Sequence, residues 1–168
     1  MSSESSKRIL AERTAENFIG RSSEIERLMR RSTLSEGLLL ATPPGAGASE
    51  LLKQTFDRLF FEKAGSVPFY FELRRRDLTA SNAARRFVHE FIVQAVAFRR
   101  RDPGIILISP GLSELSELAA PEDGHWIDRL VDYIRSDAPT DDERSFVRNC
   151  LTAPARAAAR RGFDLLGS

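Results

Sequence analysis

Residues 41–52 read "ATPPGAGASELL". The turn is rich in glycine and proline and lies between an apolar run, "GLLLA", and a second apolar run, "ELLKQTFDRLFF". A short unbroken apolar run bounded by turn residues suits a strand buried on both faces of a parallel sheet. Beyond the turn, Leu51, Leu52, Thr55, Phe56, Leu59 and Phe60 recur at three- and four-residue spacing, which predicts a helix over about 49–61. The segment therefore reads as strand, glycine turn, helix.

The same pattern extends downstream. "SVPFYFEL" at 66–73 is a second strand-like run, entered through Pro68 and rich in aromatics. The order strand, helix, strand implies a parallel unit with a right-handed crossover. "GIILISPG" at 104–111 reads either as a third strand or as a buried loop, and "LSELSEL" as a helical turn. The fold class expected is α/β, with a parallel sheet flanked by helices.

The other helices announce themselves by capping and period. Ser23 with Glu26 forms a capping-box pattern ahead of Ile25, Leu28 and Met29, predicting a helix over 23–31. Ser81 or Asn82 would cap a long helix whose Ala84, Phe87, Val88, Phe91, Ile92, Ala95 and Phe98 form one stripe. Arginines 99–101 would complement the negative end of its dipole. A helix beginning near His125 and stopped by Pro139 turns Trp126, Leu130, Val131 and Ile134 inward. The last one, over 141–161, meets Pro154, which would kink it or start a new segment. Residues 1–15 read as a flexible polar terminus with a helical turn around 8–14, and 16–168 as a single domain.

A phosphate-binding loop needs glycines that free its backbone N–H groups, a lysine for the phosphates and a hydroxyl for magnesium. Against G-x-P-G-x-G-K-[ST], residues 42–49 put Thr42 at the first glycine, Pro44 at the proline and Gly45 and Gly47 at the next two glycines. Ala48 then stands at the lysine and Ser49 at the hydroxyl. The segment resembles the Walker A loop of AAA-type and STAND-type P-loop ATPases, and "NFIGRSSEIERL" at 17–28 is similar to the Gly-Arg entry of those families. The resemblance covers the first half of the chain and implies a P-loop NTPase-like fold. It implies that Gly20 and Arg21 border the base, that Gly45, Ala46, Gly47, Ala48 and Ser49 face the phosphates, and that Ser49 reaches Mg2+.

Ala48 departs from that pattern. Without the lysine, binding weakens and phosphoryl transfer suffers more, because the lost contact strengthens as charge moves. The acidic strand end that such ATPases use is also missing: "IILI" is followed by Ser109 and Pro110. The expectation is thus weak ATP or phosphate binding at 42–49 without hydrolysis. An arginine from 74–76 is a candidate to replace the charge. The chain is further read as an N-terminal piece of a longer ATPase-like protein or as a product truncated there, so the remainder of such a chain, or a protein partner, is expected. The alternative is a non-enzymatic interaction module in which the Phe-rich helix at 83–101 or the arginine clusters meet a protein.

Composition narrows the remaining classes. Of 168 residues, 42% are hydrophobic and 29% charged, as in globular proteins, and a formal charge of +1 argues against nucleic acid. One cysteine excludes an internal disulfide, and two distant histidines give no zinc pattern. No run approaches the ~20 apolar residues of a membrane span and no signal-peptide core opens the sequence, so the cytoplasm is the expected compartment.

Overall fold

A computed structural model describes residues 8–14, 17–31, 39–62, 65–136 and 143–161. Every regular element among them is helical: α1 Ser22–Arg31, α2 Ala48–Phe61, α3 Ala80–Arg100, α4 Gly104–Ile108, α5 Leu112–Leu118, α6 Pro121–Arg135, α7 Glu143–Leu151 and α8 Ala153–Arg161. The expected parallel α/β sheet is overturned, and with it the P-loop NTPase-like fold, because no described residue belongs to a strand.

Each predicted strand fails for its own reason. Of the run before the turn, 36–38 lie outside the described residues, and Leu39 is 91% exposed where a buried strand would hide it. Residues 67–73 are irregular, with Val67 buried and Leu73 open to solvent. Among the described residues neither segment pairs with another backbone as a strand, and a strand exists only through such pairing. The run at 104–108 is a helix because "DPG" is a helix start. The Asp102 carboxylate accepts from the Gly104 amide at 2.9 Å, Pro103 supplies a helical φ, and the Ser109 amide closes the turn on the Ile105 carbonyl at 2.9 Å. Ile105 is buried by it while Leu107 and Ile108 remain exposed.

The described residues form two compact units, one within Met1–Tyr70 and one within Phe71–Phe163. In the first, α1 packs on α2, whose Leu51, Phe56 and Phe60 are its core. The helical turn expected at 8–14 is absent. Those residues instead lie as a strap along α2. The Asp57 carboxylate accepts from the amides of Ile9 at 2.9 Å, Leu10 at 2.9 Å and Ala11 at 3.1 Å, and Glu50 accepts from those of Glu12 at 3.1 Å and Arg13 at 3.0 Å. Gln54, between them on the same face, donates to the Arg13 carbonyl at 2.6 Å.

In the second unit α3 is central and packs against α4, α5, α6 and α7. Its cap is Thr79, whose hydroxyl accepts from the Asn82 amide at 3.1 Å, rather than Ser81 or Asn82. Of the predicted stripe only Phe87 is not fully buried. Phe91 meets Trp126 of α6 with ring centroids 5.6 Å apart. The chain breaks between α7 and α8 just before Pro154, while Pro139 lies outside the described residues. Arg86 of α3 clamps the preceding loop: it donates to Asp77 at 2.9 Å, to the Glu72 carbonyl at 2.6 Å and to Glu90 at 2.5 Å, and lies 4.3 Å over the Phe71 ring. Among the described residues no helix is long and apolar enough to cross a membrane.

Candidate anion-binding turn

The turn at 42–49 ends at the N-terminus of α2. The Ala46 amide donates to the Pro43 carbonyl at 3.1 Å, and Gly45 and Gly47 adopt φ of 80° and 78°. That left-handed backbone is what makes glycine necessary at both positions, since a Cβ at either would meet nothing within 4 Å. Gly47 is the N-cap. Its carbonyl accepts from Leu51 at 2.9 Å, but glycine has no side chain to cap the helix. The amides of Ala48, Ser49 and Glu50 therefore have no intrahelical partner, and the partial positive charge of the helix end is open to solvent.

Arg21 reaches this turn from α1. Its carbonyl accepts from Ile25 at 3.1 Å, opening that helix, while its guanidinium donates to the Ala46 carbonyl at 2.9 Å and to Glu24 at 3.3 Å. The Glu24 carboxyl is held below its usual range by the Ser23 hydroxyl and its own backbone amide, with Arg21 adding to the effect. A cation is thus fixed on the turn, although position 48 carries none. It comes from the residue that the sequence assigned to the base side.

The remaining candidates fall as follows. Gly20, at φ 85°, turns the chain into Arg21. Ser49 is exposed in the first turn of α2, and no group of His, Cys, Asp or Glu able to hold a metal exists among the described residues. Glu50 would repel an anion at this helix end. Burial opposes its ionisation, yet the Arg13 amide, Gln54 and the Glu12 amide together hold its pKa below the usual value. Its charge is directed into the strap.

Of the arginines at 74–76, Arg74 has partners in the second unit. Arg74 pairs with Glu90 at 3.8 Å and its amide donates to Asp77 at 2.8 Å. The run 99–101 serves the end of α3: Arg99 faces Asp123 at 3.6 Å, Arg100 donates to the Leu118 carbonyl at 3.0 Å, and Arg101 lies 4.4 Å over the Phe98 ring. His89 bonds the Pro110 carbonyl at 2.9 Å, and Asp123 accepts from Trp126 at 2.7 Å. None of these groups forms a nucleophile and base pair. On the Phe-rich helix α3, one of the surfaces in the alternative reading, Phe91 and Phe98 are buried in the unit's own core and Phe87 is half-buried.

Sequence reasoning missed Asp57, Glu50 and Gln54. Their signal was polar side chains at i, i+4 and i+7, the spacing of one helix face.

The chain matches no family model, no curated protein and no solved structure. The resemblance to AAA and STAND ATPases accordingly stands on the short segments at 17–28 and 42–49 alone, and the all-helical architecture contradicts it.

Proposed function

We propose that the turn at 42–49 binds a phosphate group weakly, as inorganic phosphate or as ATP with Mg2+, and does not turn it over. The observation that carries this reading is the Arg21 guanidinium seated on the Ala46 carbonyl, beside the uncapped N-terminus of α2. The free amides of Ala48, Ser49 and Glu50 and the arginine supply donors and positive charge to the same anion. Ser49 is the hydroxyl available to the metal. With no lysine at 48 and no metal-holding cluster of carboxylates among the described residues, these groups hold a ground state without favouring the transition state of phosphoryl transfer.

The affinity expected is weak, with a Kd on the order of 1 mM, equivalent to about −4 kcal/mol. Calorimetric titration of the full chain with phosphate, and with ATP and Mg2+, tests the reading together with Ala48→Lys and Arg21→Ala. Tighter binding by the first variant and several-fold weaker binding by the second are expected. Absence of binding by both parent and Ala48→Lys, or an Arg21→Ala chain that binds as the parent does, overturns it.

A further inference from the structure

In the second unit α6 and α8 leave a groove between them of about 260 Å³. On α6, Trp126, Arg129, Leu130 and Tyr133 follow the i, i+3, i+4, i+7 spacing of a single helix face, and Arg156 joins from α8. The groove exists because the α8 positions opposite carry only alanine, at 153 and 157. Its floor is apolar and its rim cationic, and among the described residues no acidic side chain lines it.

Part of the rim, Tyr133 and Arg156, is held in place before anything binds. Asn149 of α7 donates from its side-chain amide to the Tyr133 hydroxyl at 3.1 Å, and its carbonyl accepts from Arg156 at 2.6 Å. Tyr133 is stacked on Phe146, centroids 5.6 Å apart and planes at 18°. Arg129 is exposed and has neither a hydrogen bond nor an ion pair among the described residues. Fixing a site in advance removes part of the ordering cost of binding.

We propose that this groove seats an acidic segment of a partner protein. One leucine or aromatic side chain enters over Trp126 and Leu130, and a neighbouring carboxylate meets Arg129 and Arg156. Interfaces gain most from one bulky residue in a pocket with charges at its margin. Charge selects the partner: planar guanidinium groups pair with carboxylates through two parallel hydrogen bonds. This inference is independent of the phosphate turn, which belongs to the other unit.

Trp126 is the chain's only tryptophan, so its emission reports the groove directly. The full chain is titrated with a fluorescein-labelled peptide of order Asp-Glu-Leu-Phe-Asp-Glu, following anisotropy and, with unlabelled peptide, Trp126 emission. A lysine-for-acid version and an oligothymidine serve as competitors. Expected are a Kd in the range of about 10–100 μM, a shift of Trp126 emission, and at least a tenfold loss in Arg129→Ala/Arg156→Ala. Ala157→Leu should abolish the shift by filling the groove while leaving both arginines. Should the double variant lose its helical circular dichroism, Arg129→Ala alone, at an exposed and unpaired position, replaces it with a several-fold loss. The proposal is overturned by no binding at 1 mM peptide, by equal binding of the lysine peptide, by preference for the oligonucleotide, or by variants that bind as the parent does. A concentration-dependent Trp126 shift without peptide overturns it too, because a second copy then fills the groove.

Discussion

Replacing Asp57 by alanine should release the strap. The carboxylate is 4% exposed as a residue and accepts three consecutive amides, from Ile9, Leu10 and Ala11, of which the Ile9 bond is buried and the other two are half-buried. A buried donor left without a partner costs about 1–3 kcal/mol, and the two half-buried amides, which water can reach, about 0.5 kcal/mol each. The total is about 2–4 kcal/mol, counted locally. Asp57→Asn should cost about half, since one oxygen can still serve Ile9 and Ala11 while the new NH2 confronts Leu10. Burial raises the Asp57 pKa and the three amides oppose that rise, so the ionised carboxylate depends on them. Tryptophan fluorescence would miss the change, because Trp126 belongs to the other unit. Amide hydrogen exchange read by mass spectrometry over 8–14 gives the local answer. Exchange there should accelerate from about 30-fold to nearly 1,000-fold in Asp57→Ala, with α3 unchanged. If exchange over 8–14 moved less than about threefold, the amide–carboxylate account of the strap would be wrong.

Two further outcomes follow from titrating groups. The Asp77 carboxyl is lowered to about 2, chiefly by its hydrogen bond from Arg86 and then by the Arg74 amide. Its folded pKa is depressed, so its contribution is present above the unfolded value near 3.8 and is lost as pH falls through about 2. Acid denaturation followed by Trp126 should therefore lose its dependence on this window in Arg86→Ala; an unchanged acid profile would refute the clamp. Cys150 is fully buried, and burial pushes its thiol up to about 11. A raised folded pKa means that its contribution is complete below 9 and lost as pH rises toward 11. At pH 8 iodoacetamide should leave the native chain unlabelled and alkylate it in denaturant; equal labelling would contradict the burial.

The helices were legible because their period is carried by the residues themselves. The inward set of α3, the restart at Pro154 and the extent of α2 all follow from spacing and punctuation. The strands were not legible, because four apolar residues in a row satisfy a buried strand and one side of a short helix equally. At 104–108 the decisive residues were Asp102 and Pro103, which lie just outside the apolar run. At 39–41 the decision lies with a neighbour that no local pattern encodes. The turn at 42–49 was legible as a glycine turn ahead of a helix, and Arg21 as a residue of interest, but the contact of Arg21 with Ala46 joins positions 25 apart in sequence. The strap was hidden for a different reason. Backbone amides are the same in every residue, so 8–14 carries no mark of what binds it.

In α3 the residues from 91 to 98 are buried without interruption, more than two full turns with no side facing water. A helix enclosed on all sides gives its neighbours no independent existence: none of α4, α5, α6 or α7 can leave without opening part of the same apolar surface. The second unit should therefore lose its structure in one cooperative step, with no stable intermediate in which a single outer helix has peeled away.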